Sequence, residues 1–171
     1  MADDLLVLAR LRAPEPAERQ AIVVADWLAA HAAARRHDAE ARGLTIESRV
    51  SDERLRITGV RELLDRALDH ALDNALKFSR PGGRIELSAM RYGAGARVAV
   101  GDDGVGFDPT DAARVFGRFE RSPTPGAEHL AGAGLGLALV HEIAEVHGGR
   151  AWAQSALGRG TQILLALPLA E

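Results

Sequence analysis

The stretch Val60-Arg61-Glu62-Leu63-Leu64-Asp65-Arg66-Ala67-Leu68-Asp69-His70-Ala71-Leu72-Asp73-Asn74-Ala75-Leu76-Lys77 carries two patterns at once. Leu63, Leu64, Ala67, Leu68, Ala71, Leu72 and Ala75 recur at helical spacing, which predicts a strong amphipathic helix with one face in a core. His70, Asn74 and Lys77 follow one another at spacings of four and three, on the other side of the same helix. Such a polar row is ordinarily a solvent face. Here, however, Asn74 is the only Asn and Lys77 the only Lys in 171 residues, although Lys and Arg together number 21. An Asn carboxamide oxygen is a hard donor suited to magnesium. A Lys can approach a phosphate as a point charge.

Working outward, Ser79-Arg80-Pro81-Gly82-Gly83 reads as a turn, and Arg84–Arg91 with Ala96–Val100 as a hairpin closed by Tyr92-Gly93-Ala94-Gly95. Val115–Phe119 is a candidate short helix. Residues 120–133 are polar, carry Pro and Gly, and are expected to be irregular. A helix is expected over Leu135–His147, stopping at Gly148-Gly149. Arg150–Ser155 and Thr161–Pro168 read as closing strands. On the other side, Glu18–Arg42 reads as a helix on Val23, Trp27, Ala30 and Ala34, with Gly43 as its stop. Leu44–Val50 and Arg54–Ile57 alternate like strands. Residues 3–12 form a short helix with Leu5, Leu8 and Leu11 roughly on one face, broken by Ala13-Pro14-Glu15-Pro16. The expected class is α+β: a mixed sheet with helices on one face, as a two-layer sandwich.

Composition removes several function classes. The net charge is -3, a poor footprint for a general nucleic-acid binder. With no Cys, disulfides and thiolate metal sites are excluded. No apolar run approaches the roughly 18–20 residues that cross a bilayer, and the first residues do not read as a cleavable signal pattern.

Three further segments carry chemical signals. Asp102-Asp103-Gly104-Val105-Gly106 follows a strand and puts a carboxylate beside a Gly-x-Gly turn. Gly132-Ala133-Gly134-Leu135-Gly136-Leu137 runs into a helix, where backbone amides and the helix N-terminus favour anions. It matches neither the dinucleotide fingerprint nor the P-loop, because no Lys follows its glycines. Gly158-Arg159-Gly160-Thr161 is by itself a hairpin loop.

In this order and spacing the segments resemble the ATP-binding boxes of bacterial sensor histidine kinases, in the superfamily of gyrase, the heat-shock chaperone and mismatch-repair ATPases. Asp73–Ser79 is similar to the N box and Asp102-x-Gly104-x-Gly106 to the first glycine box. Val115-Phe116-Gly117-Arg118-Phe119-Glu120-Arg121 is similar to the F box. Gly132-x-Gly134-Leu135-Gly136-Leu137, with His147-Gly148-Gly149 behind it, resembles the second glycine box, and Gly158-x-Gly160-Thr161 the third. The likeness covers about residues 20–169.

The resemblance implies a Bergerat fold that binds ATP with Mg2+. It implies that Asp102 accepts the adenine amino group in a pocket shaped by Gly104 and Gly106, with Thr161 beside it. Asn74 would hold the magnesium, and Lys77 and Arg121 would contact phosphate. Amides around Gly132, Gly134, Leu135, Gly136 and Leu137 would cradle the phosphates. Residues 120–133 would form a lid whose base is anchored by Phe116 and Phe119. The implied reaction is transfer of the γ-phosphoryl group to a histidine on a dimerisation domain, for relay to a response regulator, in the cytoplasm. Residues 1–17 are expected to be the end of a dimerisation helix and a linker, and 18–171 the catalytic domain. The fragment is expected to be a monomer and its parent a homodimer; a membrane anchor on the parent is compatible with this reading.

Three departures bear on this reading. His70 stands where many such kinases carry another Asn and the hydrolysing relatives a water-activating Glu. That counts against a gyrase-like ATPase and leaves His70 as a candidate contact to phosphate. Val60 stands where an Asp often opens the helix. None of His31, His37, His70, His129, His141 and His147 sits in an acidic-flanked acceptor box; His37-Asp38-Ala39-Glu40 is the nearest lookalike. The competing readings are a serine kinase of the anti-sigma-factor type and a non-catalytic nucleotide-sensing module.

Overall fold

Alternation along the central strands explains the sheet. The computed structural model describes residues 2–11, 18–120 and 134–170. Its helices and strands are α1 (Ala2–Leu11), β1 (Gln20–Val23), α2 (Val24–Ala41), β2 (Thr45–Val50), β3 (Arg56–Gly59), α3 (Arg61–Phe78), β4 (Arg84–Tyr92), β5 (Gly95–Asp102), α4 (Gly136–Val146), β6 (Arg150–Ala156) and β7 (Gly160–Pro168). Five strands form one sheet in the order β2-β4-β5-β7-β6, and β1 pairs with β3 in a small second sheet. Only β2 and β4 are parallel in the large sheet, so it is mixed, as expected. Ile85, Leu87, Val98, Val100, Ile163 and Leu165 point to one side and share a buried cluster with α2, α3 and α4. The result is the expected two-layer α+β sandwich.

α3 is the central element of the helical layer. It buries Leu64, Ala67, Leu68, Ala71, Leu72, Ala75 and Leu76, each leucine contributing roughly 1.5–3 kcal/mol. No side chain caps its first turn from within. Instead the buried His147, just past α4, accepts a hydrogen bond at Nε2 from the Val60 N–H (2.9 Å). His147 Nδ1 then donates to the Ile143 carbonyl (2.6 Å), which fixes the tautomer. An Asp cap would accept from an N–H of the first turn, whereas His147 accepts from the N–H of the N-cap residue itself, so the contact leaves the first turn without a side-chain cap and instead ties α4 to α3.

The upstream segment departs from expectation. The helix expected over Glu18–Arg42 divides: Gln20–Val23 is a strand, and α2 starts at Val24. Ile22 and Val23 are β-branched, and the strand finds a partner in β3, with Ile22 opposite Ile57. The buried stripe of α2 is Val24, Trp27, Leu28, Ala32 and Ala39, while Ala30 and Ala34 are exposed. Trp27 Nε1 donates to Asp65 Oδ1 at 2.7 Å and ties α2 to α3. In α1, Leu8 is buried against the domain but Leu5 is exposed. The helix packs on α4, with Val7 and Leu11 partly buried beside Leu8.

Candidate active site

Three turns converge at one end of the sheet. β5 ends where β7 begins, with Asp102 opposite Thr161. Ser79, at the end of α3, bridges to Gly104. The Val105 N–H donates to the Phe78 carbonyl (3.1 Å), and the Gly158 N–H donates to the Val105 carbonyl (2.7 Å). The structure therefore joins the three segments read as the N box, the first glycine box and the third glycine box. Two glycines are required by this approach. Gly106 has φ +63° and Gly160 φ +85°, and a Cβ would run into the Ala156 carbonyl at the first and the Asp102 carbonyl at the second.

Ser155 was not legible as a site residue. Its hydroxyl accepts from the Phe107 N–H (2.8 Å), donates to the Gly160 carbonyl (2.9 Å) and lies 2.9 Å from Thr161 Oγ1. It pins the first glycine turn to the third. Its only sequence signal is its place as a small polar residue on the core-facing side of β6.

Asp102 is the electrostatic focus. Burial pushes its carboxyl up to about 7, although N–H groups of Gly104 and Thr161 favour the charged form; the neighbouring Asp103 adds to the rise. Its Oδ1 is sealed from solvent and has no hydrogen-bond partner among the described residues. A buried acceptor without a donor costs about 1–3 kcal/mol. Such an atom can accept from a ligand's donor once the turns that cover it open.

The polar row of α3 is divided by its neighbours. His70 faces α1 and the start of α4: its Nε2 lies 3.2 Å from Asp4 Oδ1, and a Cβ at Gly136 would stand 3.2 Å from its Nδ1. Asn74 is half-buried, and its carboxamide makes no hydrogen bond among the described residues. Lys77 lies 4.8 Å from the centre of the Phe78 ring. It also lines a groove of about 530 Å³ between α2 and α3, together with Arg35, Arg42 and Asp73.

α4 opens beside this row. Gly136 is its first residue, the buried Leu135 precedes it, and Leu137 packs against the core. Leu135 at its N-cap supplies no side-chain cap, and N–H groups of a helix's first turn suit an anion. The short helix expected over Val115–Phe119 is a 3-10 turn at Arg114–Phe116. Phe116 packs on the core, its ring 6.0 Å from that of His141. Phe119 behaves differently from the expected anchor: its side chain is 66% exposed, and its φ is +61°. Its backbone does the holding, since the Phe119 N–H donates to the Gly134 carbonyl (2.9 Å) and pins the two ends of the expected lid together. Arg121 and Gly132 lie outside the described residues.

The match to known proteins spans the same boxes. Residues 59–171, more than half of the chain, match the family model "Histidine kinase-, DNA gyrase B-, and HSP90-like ATPase". The chain belongs to this family. The sensor-like histidine kinase SenX3 of Mycobacterium tuberculosis is 36% identical over 169 residues, covering 98% of this chain and 41% of that protein. The sensor histidine kinase WalK of Bacillus subtilis is 36% identical over 115 residues, covering 63% of this chain and 18% of WalK. Among solved structures, full-length ShkA in complex with AMPPNP superposes with a TM-score of 0.86 at 29% identity, covering 98% of this chain and 35% of ShkA. The mycobacterial sensor histidine kinase MprB gives 0.69 at 31% identity, covering 89% and 97%. This member is therefore homologous to sensor histidine kinase catalytic domains, and it spans about two fifths of the length of SenX3. Among the described residues, no helix is long and apolar enough to cross a membrane.

Proposed function

We propose that this domain binds ATP with Mg2+ and supplies the catalytic half of a protein-histidine kinase. The observation that carries the reading is the sealed, unpartnered Oδ1 of Asp102 at the junction of three glycine-bearing turns. The adenine amino group is a donor of the kind this atom lacks. The Asn74 carboxamide, which makes no hydrogen bond among the described residues, would hold the magnesium together with phosphate oxygens and water. That is the usual manner for this ion, and no cluster of three acidic or histidine ligands exists among the described residues. The ion would neutralise phosphate charge.

The chain's own residues position and neutralise. Asp102 orients the base, the uncapped first turn of α4 meets phosphate oxygens, and Lys77 and Arg121 add cationic contacts. Little covalent work falls to the protein in phosphoryl transfer. The lid that the resemblance implies over residues 120–133 lies, but for Glu120, outside the described residues. His70, held by Asp4 in the structure, becomes a phosphate contact only when that pair opens.

The acceptor is a histidine outside this chain, on a dimerisation domain for which residues 1–17 provide the last helix and a linker; residues 18–171 are the catalytic unit. A response regulator would take the phosphoryl group onward, in the cytoplasm.

The test is labelling by γ-labelled ATP of a supplied dimerisation hairpin from the parent protein. Acid-labile label that needs magnesium and is lost in Asn74→Asp is expected. Acid-stable label would instead identify a serine kinase. Nucleotide binding without transfer to any partner would leave a sensing module.

A further inference from the structure

The face of the large sheet turned away from the helices has two ends of different character. Near β2, charges cancel: Arg49 and Arg84 are shared between Glu47 and Glu86 at 3.2–4.0 Å. Near β6 they do not. Arg97 of β5 and Arg150 of β6 lie on the same face, linked in register through Ala166 of β7 and so about 10 Å apart. Neither has a carboxylate within ion-pair distance among the described residues. Both guanidinium groups are nevertheless held in place. Arg150 donates to the Tyr92 hydroxyl (3.1 Å) and lies 4.9 Å from the centre of the Trp152 ring. Arg97 lies 5.8 Å from the centre of the Tyr92 ring and 2.8 Å from Met90 Sδ. The Tyr92 and Trp152 rings are 6.0 Å apart. Tyr92 and Met90 are each 40% exposed.

This cluster is poorly explained as packing alone. The helical core is built on the opposite face, and Ala99 and Leu164, buried beneath the cluster, fall outside that core. An all-arginine island on a chain of net charge -3 is not a background of positive charge. Tyr, Trp, Met and Arg are the residues enriched where proteins bind one another. Arginines pre-ordered on ring faces lose less entropy when they grip a carboxylate. Two cations are too few for a membrane surface, which is read by clusters of about four to eight.

We propose that the Tyr92–Trp152–Arg97–Arg150 surface is a docking site for an acidic segment of a partner protein. That segment carries two carboxylates within about 10 Å of each other and an apolar or aromatic side chain between them. This site is separate from the nucleotide site and does not depend on how that site is read.

The probe is a random Glu–Tyr copolymer titrated into the isotopically labelled domain, with a Lys–Tyr copolymer and phosphatidylglycerol vesicles as the other arms. Amide shifts confined to the region of Arg97, Ala99, Trp152 and Leu164 are expected with the acidic copolymer alone. The double variant Arg97→Gln/Arg150→Gln should weaken binding by about tenfold or more. Arg150→Glu, a single exposed change, should do so without moving the urea midpoint, which separates lost contact from lost folding. The proposal is overturned if the copolymer does not bind, if its shifts lie elsewhere, if the variants bind like wild type, or if only the vesicles bind.

Discussion

Replacing Asp102 by Asn should stabilise the nucleotide-free domain at pH 8 and weaken its hold on adenine nucleotides. Burial raises the Asp102 carboxyl from the ordinary 3.8 to about 7. Between those values the folded state holds a proton that the unfolded chain has released. Stability is therefore full below about pH 4, falls as pH rises through the window, and levels off above about pH 7. At about 1.36 kcal/mol per pKa unit, the charged carboxylate costs the fold up to roughly 4 kcal/mol at pH 8, but only about 1.5 kcal/mol at pH 5. Asn removes that charge. It also brings a buried amide whose own partners are incomplete, a cost of about 1–3 kcal/mol that does not vary with pH. The stability difference between the variant and wild type should thus be up to about 2–3 kcal/mol more favourable at pH 8 than at pH 5. Urea denaturation of both proteins at several pH values measures it, and other titrating groups cancel in the subtraction. Adenine nucleotide affinity should meanwhile fall by about tenfold or more, since a site built for a donor loses its acceptor charge. A difference that is the same at pH 5 and pH 8 would refute the reasoning, because the carboxylate would then be solvated in the fold.

Three other outcomes follow from the same contacts. His147→Ala should cost about 3 kcal/mol or more, read by thermal or urea unfolding, because it opens a cavity and orphans the Val60 N–H. Burial holds the His147 imidazole below its ordinary value, so its contribution is present above about pH 6.5 and is lost as pH falls; the variant should show a shallower acid loss. Ser155→Ala should cost about 1–3 kcal/mol and reduce nucleotide affinity in calorimetry, since it frees the Phe107 N–H and both glycine turns. Phe119→Gly should raise stability by about 1 kcal/mol in thermal unfolding, because an exposed side chain is removed from a left-handed backbone position.

The local chemistry of the site was legible because each box joins a residue type to a backbone need. Gly106 and Gly160 occupy conformations and contacts that only glycine satisfies, and the spacing of α3 announced both its core face and its polar row. What pattern could not reveal depends on partners distant in sequence. Gln20–Val23 became a strand because β3 was available to pair with it. His147 reads as the end of α4, yet it accepts from the Val60 N–H at the start of α3, 87 residues away. Ser155 looks like any small strand residue until β7 brings Gly160 and Thr161 beside it. His70, aligned with Asn74 along the helix, is drawn to Asp4 of α1 by packing that no periodicity records.

The unmet polar demands of the site differ in sign, and that difference bears on what can fill it. Asp102 Oδ1 is an acceptor lacking a donor. The first turn of α4 offers donors that its N-cap residue, Leu135, does not cap. Asn74 offers a neutral oxygen suited to a hard cation and has no protein partner among the described residues. A purely anionic ligand would satisfy the helix turn and leave Asp102 facing like charge. A nucleobase alone would satisfy Asp102 and leave the turn and Asn74 without partners. A ligand with a hydrogen-bond donor at one end and metal-bridged phosphates at the other meets all three, which is the composition of magnesium ATP. Adenosine and inorganic triphosphate, tested separately by calorimetry, should each bind far more weakly than ATP. Equal binding by either fragment would show that one of the three demands is already met within the protein.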